Sequence, residues 1–123
     1  MKKVEATSFV ESYVEAWNER DASSVTGHLC SNGKYIDEVF QQQISREALF
    51  EELVDYFQSD HYFYEVTGDI LTNGKTIAFQ YCAKPMAPDN RTAIWHGAEF
   101  ITLHGTSALE IRDYYQTSVS LPR

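Results

Sequence analysis

An apolar residue recurs every three or four positions near the N-terminus, which predicts a helix of about three turns with one apolar face. The residues of this stripe are Phe9, Val10, Tyr13, Val14 and Trp17. Ser8 and Glu11 match a capping box, so we expect Ser8 to begin the helix as its N-cap residue. Asp21 is placed to cap a second, shorter helix that ends near Leu29.

Residues 34–37 combine aromatic and β-branched side chains, which predicts a short strand that carries a carboxyl group at Asp37. Ser45 is placed to cap a third helix, which runs to about residue 57. The residues expected on its buried face are Leu49, Phe50, Leu53, Val54 and Phe57.

From residue 61 onward, segments of strand-forming residues are separated by turn signals, which predicts antiparallel strands. These strands are expected at about 61–71, 76–86, 91–104 and 108–119. Asn73 and Gly74 favour a type I′ hairpin turn, while Pro85 and Pro88 mark a longer connection. Helices followed mainly by strands indicate an α+β fold, and the length fits one domain over residues 1–123.

The charge balance narrows the choice of partners. The chain has 18 acidic and 10 basic side chains, a net charge of -8, which argues against nucleic acid or an acidic membrane surface. No segment is apolar for long enough to cross a membrane, and the N-terminus does not match a signal peptide. A disulfide between Cys30 and Cys82 is possible, but their isolated positions favour two reduced thiols. We therefore expect a cytoplasmic protein.

Asp37 raises a chemical question because it shares a strand face with Tyr35 and Val39, which are expected to face the core. A carboxyl group on such a face must be solvated, paired, protonated or used, since burying an unpaired charge is costly. In a pocket it would suit a general base. The alternatives are an ion pair with an arginine or a cap on the turn that leads to Val39.

Glu99 raises the same question on the third of these strands, as the acidic member of an otherwise apolar alternating set. The set consists of Trp95, Gly97, Glu99, Ile101 and Leu103. A carboxyl group on that face is either neutral or paired with a cation, and Arg112 and Arg91 are the candidate partners.

The last predicted strand has two faces that differ in chemistry. One face carries Arg112, Tyr114 and Gln116, and the other carries Ile111, Asp113 and Tyr115. We assign the first face to the pocket, where Arg112 would bind an anionic substrate or neutralise Asp37 and Glu99. A β-bulge in this strand would exchange the two faces.

Other chemistries have no sequence support. The histidines show no metal-ligand spacing, and there is neither a phosphate-binding loop nor a serine nucleophile motif. We therefore expect no metal and no other cofactor.

Two segments, YVEAWNERD at residues 13–21 and ALEIRDYY at residues 108–115, resemble the nuclear transport factor 2-like superfamily in their order and spacing. The SnoaL-like polyketide cyclases and the ketosteroid isomerases are the most similar branches. The resemblance implies a cone-shaped, cystatin-like fold in which N-terminal helices pack on a curved, mainly antiparallel sheet around an apolar pocket. It also implies a homodimer packed through the sheet. Because this scaffold hosts many activities, it implies the fold more firmly than the function.

The ketosteroid isomerase branch implies roles for three residues. By resemblance, Asp37 is the general base and Tyr13 donates a hydrogen bond to the developing oxyanion. Glu99 lies near the position of a carboxyl group that stays protonated and donates to the same oxyanion. The supporting tyrosines of those isomerases are replaced here by Leu29 and Leu53, which counts against an isomerase.

The sequence therefore predicts a pocket for a small apolar organic molecule, with proton transfer beside a carbonyl group in an isomerisation or cyclisation. Resemblance to the SnoaL-like cyclases implies that a carboxylate near the position of Gln116 acts as the acid and base. Gln116 has an amide instead, which cannot transfer protons in this way, and this difference counts against a cyclase. The expected pocket residues, besides those above, are Trp17, Phe57, Trp95, Arg112, Tyr114 and Gln116. The competing interpretation is a non-catalytic binding or interaction module in which Arg112 ties Asp37 and Glu99 into an ion network.

Overall fold

Helices precede most of the strands in the computed structural model, which describes residues 1–59, 62–86 and 94–116. The elements in chain order are α1 (Lys3–Asn18), α2 (Ala22–Thr26), β1 (Leu29–Asp37), β2 (Gln42–Ser45), α3 (Arg46–Ser59), β3 (Tyr62–Thr72), β4 (Thr76–Pro85), β5 (Trp95–His104) and β6 (Ser107–Tyr115). This order confirms the predicted α+β class. The long connection predicted at Pro88 lies outside the described residues.

The strands form one sheet in the order β2-β1-β6-β5-β4-β3. Neighbouring strands run antiparallel except β1 and β6, which run parallel. The sheet is therefore mainly antiparallel, as predicted. Register shifts interrupt the pairing of β1 with β6, of β3 with β4 and of β5 with β6, and such irregularities bend and twist a sheet.

The core lies between the helices and one face of this sheet. The residues that α1 and α3 bury are Ala6, Val10, Tyr13, Ala16, Leu49, Leu53 and Phe57. On the sheet, Ile77, Ile101 and Ile111 are fully buried and lie opposite one another on β4, β5 and β6. Since a one-residue slip would turn such a row toward solvent, this row fixes the register of the central strands.

Helix α1 begins earlier than predicted. It starts at Lys3, and the backbone N–H of Lys2 donates to Glu5 Oε1 at 3.0 Å. The prediction of Ser8 as N-cap is wrong, because Ser8 lies inside the helix. The apolar stripe misled here, since Ala6 is fully buried but is too small to stand out in the pattern.

The other two predicted caps are correct. Asp21 Oδ1 accepts a hydrogen bond from the Ser24 backbone N–H, and Ser45 Oγ accepts one from the Ala48 backbone N–H, both at 3.1 Å. Helix α2 ends at Thr26, and the predicted end near Leu29 belongs instead to β1.

Two further predictions about the middle of the chain need correction. Phe50 and Val54 are 41% and 38% exposed, so the buried face of α3 is narrower than predicted. Strand β2 was not predicted, because its residues are mostly polar and exposed and show no apolar alternation.

The turn between β3 and β4 falls at Asn73 and Gly74, as predicted, but it is not of type I′. Of these two residues only Gly74 has a positive φ, of 95°. The side-chain oxygen of Asn73 instead accepts hydrogen bonds from the backbone N–H groups of Lys75 and Thr76, at 2.9 and 2.8 Å.

Gly97 on β5 lies directly opposite Tyr81 on β4. A Cβ atom at Gly97 would lie 2.5 Å from Cζ and Oη of Tyr81, which is far inside van der Waals contact. The missing side chain therefore lets the Tyr81 ring lie across β5, from where its hydroxyl reaches Asp113 on β6.

We predict that Gly97→Ala destabilises the protein by about 1–3 kcal/mol, because the added methyl group displaces the Tyr81 ring. Urea unfolding of the wild type and the variant measures this difference. In a Tyr81→Leu background the same substitution should be nearly neutral. An equal loss of stability in both backgrounds would show that Tyr81 is not the reason for the glycine.

Candidate active site

A cavity of about 330 Å³ lies between the helices and the sheet. Half of the described residues that line it are aromatic. The aromatic residues are Tyr13, Trp17, Tyr35, Tyr56, Tyr62, Tyr64, Phe79, Tyr81, Trp95 and Tyr115. This volume is at the low end of the usual range for ligand sites. Together with the flat aromatic rings of the lining residues, it suits a small planar molecule.

Three carboxyl groups line this cavity in one row across neighbouring strands. Asp37 on β1 is in register with Asp113 on β6, which is in register with Glu99 on β5. Like charges at directly opposed positions repel each other. The row therefore favours protonation of at least one of the three groups.

Asp113 occupies the middle of the row and is 7% exposed. Tyr35 Oη donates to its Oδ2 at 2.5 Å, and Tyr81 Oη donates to its Oδ1 at 2.7 Å. The pKa of Asp113 is raised to about 6, mainly by burial and to a smaller extent by Asp37, while these two hydrogen bonds oppose the rise. Asp113 is therefore mainly ionised at neutral pH and can take up a proton at slightly lower pH.

Glu99 and Tyr13 are the most deeply buried polar pair in the cavity wall, at 5% and 1% exposed. Burial, followed by the Asp113 charge, raises the pKa of Glu99 well above its ordinary value. Burial and then Glu99 raise the pKa of Tyr13. Both groups are therefore protonated at neutral pH. Tyr13 interacts with Glu99 and with Trp17, but Glu99 Oε1 and Tyr13 Oη make no well-aligned hydrogen bond to a described residue.

Asp37 lies at the more exposed part of the cavity wall. Its Oδ1 accepts hydrogen bonds from the backbone N–H groups of Val39 and Phe40, each at 3.0 Å, and its Oδ2 accepts one from Tyr115 Oη at 2.7 Å. The turn-capping alternative is thus correct, and the same carboxyl group also lines the cavity.

The pocket face of β6 is the opposite of the one predicted. Arg112 and Tyr114 point away from the cavity, where Arg112 contacts Glu110 at 2.6 Å and Glu38 at 3.1 Å, and Tyr114 Oη donates to Glu38 at 2.9 Å. Gln116 is exposed just after the strand. The face that lines the cavity includes Asp113 and Tyr115.

The predicted ion network is consequently absent from the described residues, since Arg112 pairs with neither Asp37 nor Glu99. Arg91, the other candidate partner of Glu99, lies outside the described residues. Among the described residues that line the cavity, four are acidic and none is Lys, Arg or His. The cavity therefore disfavours an anionic ligand, contrary to the role considered for Arg112.

The predicted wall residues divide into two groups. Trp17 and Trp95 line the cavity, whereas Phe57 packs behind Trp17 with ring centroids 5.6 Å apart and is not part of the wall. Trp95 stacks on Tyr115 at a centroid distance of 5.9 Å and an interplanar angle of 5°. The Nε1 atoms of both tryptophans are buried, and neither makes a well-aligned hydrogen bond to a described residue. Trp17 nevertheless interacts with Tyr13, whereas no described residue interacts with Trp95 Nε1.

Sequence reasoning missed Asp113 and its two tyrosine partners as site residues. The available signal was the alternation of Asp113 with Ile111 and Tyr115, an acidic residue within an apolar set like that of Glu99. Nothing local marks Tyr35 or Tyr81, because their hydroxyls reach Asp113 only after the strands have paired.

In the described part of the chain, no group of three or more His, Cys, Asp and Glu side chains could hold a metal ion. In the same residues, no helix is long and apolar enough to cross a membrane.

These features define an α+β protein whose helices and curved sheet enclose an aromatic cavity that carries several carboxyl groups. No protein-family model matches the chain, and no curated protein is significantly similar to it in sequence. Many solved structures have a similar fold.

Three of these structures illustrate the fold. A proposed ketosteroid isomerase from Kribbella flavida matches 98% of this chain and 84% of its own length, with a TM-score of 0.78 and 14% identity. A nuclear transport factor 2-like protein of unknown function from Cytophaga hutchinsonii matches 90% and 89%, with a TM-score of 0.71 and 11% identity.

The third is a protein from Catenulispora acidiphila with a ketosteroid isomerase-like fold, in complex with trimethylamine. It matches 87% of this chain and 84% of its own length, with a TM-score of 0.74 and 15% identity. The chain therefore has the nuclear transport factor 2-like fold, as the sequence resemblance implied. At these identities the similarity establishes the fold alone.

The raised pKa of Asp113 predicts a pH-dependent stability. Between about pH 4 and pH 6 the folded protein keeps a proton that the unfolded chain has lost, so stability falls as the pH rises through this range. For one group shifted by about two pH units the loss is about 3 kcal/mol. Glu99, which the folded protein also keeps protonated, adds a separate fall in stability over the same pH range. In Asp113→Asn the Asp113 part of the fall should disappear and the Glu99 part should remain, as measured by urea unfolding at pH 4 and pH 7.

The matched control for this prediction is Asp55→Asn on the exposed face of α3, which should keep the wild-type pH profile. If Asp113→Asn also kept the full fall in stability between pH 4 and pH 7, Asp113 would not be the group that titrates.

Proposed function

We propose that the protein binds a small, flat, mainly apolar carbonyl compound in this cavity and transfers a proton at the carbon atom beside the carbonyl group. One observation carries the proposal. Tyr13 Oη and Glu99 Oε1 line one cavity, are buried and interact with each other, but neither makes a well-aligned hydrogen bond to a described residue. A buried polar group without a hydrogen bond costs about 1–3 kcal/mol, which a suitable ligand atom would recover.

The ligand atom that fits this pair is an oxygen that accepts hydrogen bonds. Tyr13 and protonated Glu99 are both O–H donors at neutral pH, because burial keeps both groups neutral. Two donors on a carbonyl oxygen stabilise the negative charge that develops there when a neighbouring C–H bond breaks. The pair therefore stabilises the enolate more strongly than it stabilises the ketone.

The base in this proposal is Asp113. Its carboxylate takes a proton from the carbon beside the carbonyl group, the electron pair of the C–H bond forms the enolate C=C bond, and the carbonyl electrons move to oxygen. Return of the proton to another carbon of the enolate gives the isomer and restores Asp113. A pKa of about 6 suits a base that must work near neutral pH.

Asp37 is the base that the resemblance implied, and it stays the alternative within this proposal. Its Oδ1 is bound to two backbone N–H groups of the following turn, so its position serves that turn as well as the cavity. Asp113 is more deeply buried and lies next to Glu99 in the row. These two observations favour Asp113.

A non-catalytic binding protein is the second candidate function. Both oxygens of Asp113 and both oxygens of Asp37 already accept hydrogen bonds from protein groups. A carboxylate held in this way is less free to receive a substrate proton. The trimethylamine complex of the Catenulispora acidiphila protein supports small-molecule binding on this fold without supporting any reaction. The predicted homodimer through the sheet stays a prediction.

The proposed donors predict a specific pattern of binding to 4-hydroxybiphenyl, whose phenol oxygen is analogous to the oxygen of an enol. Tyr13→Phe and Glu99→Ala should each weaken binding about three- to tenfold, because each removes one hydrogen bond. Glu99→Gln should bind within about twofold of the wild type, since its amide N–H can replace the carboxyl O–H. Isothermal titration calorimetry at pH 7 measures these constants.

Tyr64→Phe is the matched control for Tyr13→Phe. Tyr64 lines the same cavity, but its hydroxyl lies 2.6 Å from the hydroxyl of Tyr56, so its loss should leave 4-hydroxybiphenyl binding nearly unchanged. Equal losses in Tyr13→Phe and Tyr64→Phe would show that the proposed donor pair does not bind the ligand oxygen.

The proposed base predicts that the protein exchanges the methyl protons of 4-acetylbiphenyl for deuterium in heavy water, as followed by proton NMR. Asp113→Asn should slow this exchange by about a hundredfold or more, whereas Asp37→Asn should slow it far less. The reverse ranking would make Asp37 the base. Exchange no faster than in buffer, with binding intact, would favour the non-catalytic function.

A further inference from the structure

The indole N–H of Trp95 is a further unpartnered donor in the same cavity, in addition to the Tyr13 and Glu99 pair. It lies on the cavity face of β5, four residues before Glu99, and four residues of strand span about 13 Å. Trp95 and Glu99 are therefore well separated along the cavity wall. Glu99 is 5% exposed, whereas Trp95 is more accessible, which places Trp95 nearer to solvent.

The Trp95 indole is held in place by its neighbours. It stacks in parallel on Tyr115 and packs at an angle of 43° against Tyr62, with centroid distances of 5.9 and 5.6 Å. Its Nε1 is nevertheless buried without a hydrogen-bond partner among the described residues. Tryptophan N–H groups usually find a partner when they are buried. A fixed ring with an unused N–H is an arrangement suited to an acceptor on a ligand.

We propose that Trp95 Nε1 donates a hydrogen bond to a second oxygen of the substrate and so selects flat molecules with an acceptor oxygen at each end. This inference rests on the proposed function, in which Tyr13 and Glu99 hold the first oxygen. Trp95 is then a specificity-determining residue at the opposite end of the site.

The charges around the cavity define the second oxygen more closely. Four acidic residues and no Lys, Arg or His occur among the described lining residues, so a carboxylate at either end of the ligand would be repelled. The second oxygen therefore belongs to a neutral hydroxyl, ether or carbonyl group. The substrate class is a small, flat, neutral compound with oxygen functions at both ends.

Trp17 supplies an internal comparison, because its Nε1 is also buried without a well-aligned hydrogen bond to a described residue, although it interacts with Tyr13. Trp17 follows Tyr13 by one turn of α1, with ring centroids 6.3 Å apart, so it lies at the same end as the first oxygen. Its N–H is not placed to bind an oxygen at the far end of a ligand.

The test compares 4,4′-dihydroxybiphenyl with 4-hydroxybiphenyl, which lacks the second oxygen on the same rigid frame. The wild type should bind the diol about three- to tenfold more tightly, the effect of one added hydrogen bond. Trp95→Phe keeps a stacking ring without the N–H, so it should bind both compounds with nearly equal affinity. Trp17→Phe should keep the wild-type preference. Calorimetry gives each constant, and urea unfolding checks that both variants are folded.

The outcomes separate this inference from the proposed function. If Trp95→Phe keeps the preference for the diol, or the wild type shows none, Trp95 does not select the ligand, whatever Tyr13→Phe does. If Trp95→Phe loses the preference while Tyr13→Phe leaves the affinity for 4-hydroxybiphenyl unchanged, the inference about Trp95 holds and the proposed donor pair is wrong. Failure of the wild type to bind either compound overturns both.

Discussion

Electrostatic repulsion within the row of Asp37, Asp113 and Glu99 is the constraint on which the site depends. Three carboxyl groups on adjacent strands, two of them buried, cannot all be ionised in a mainly apolar cavity without a large loss of stability. In the structure the three carboxyl groups differ in burial and in hydrogen bonding, so they differ in charge. Asp113 accepts hydrogen bonds from two tyrosine hydroxyls, and Asp37 accepts them from backbone N–H groups and a tyrosine. Glu99 interacts with Tyr13, but its burial outweighs this contact and keeps it neutral.

This division gives neighbouring carboxyl groups opposite chemical properties. Asp113 is a proton acceptor near neutral pH, while Glu99 beside it is a donor. The aromatic walls make the division possible, because they supply both the low dielectric surroundings and the hydroxyl groups that stabilise Asp113. Gly97 belongs to the same arrangement, since its lack of a side chain lets Tyr81 reach across the sheet. The site is thus a property of four strands together.

Structural features that depend on nearby residues were predicted correctly from the sequence, whereas features that depend on the pairing of strands were predicted poorly. The caps at Asp21 and Ser45 are short-range contacts, and Glu99 stands out in any alternating set. Choosing the cavity face of β6 required its register, which is set by pairing with β1 and β5 and shifts at an irregularity. The sequence analysis assigned Arg112 to the cavity face, whereas the structure places its neighbour Asp113 in the cavity.

The parallel pairing of β1 with β6 also bears on how the protein is made. Tyr35 and Asp113, whose hydrogen bond joins these strands, are 78 residues apart in the chain. During synthesis the earlier half of the chain emerges with β1 lacking its central neighbour. Pairings of such long range carry a high loop-closure entropy and slow the folding of small proteins. Folding to the functional state must therefore wait until β6 has left the ribosome.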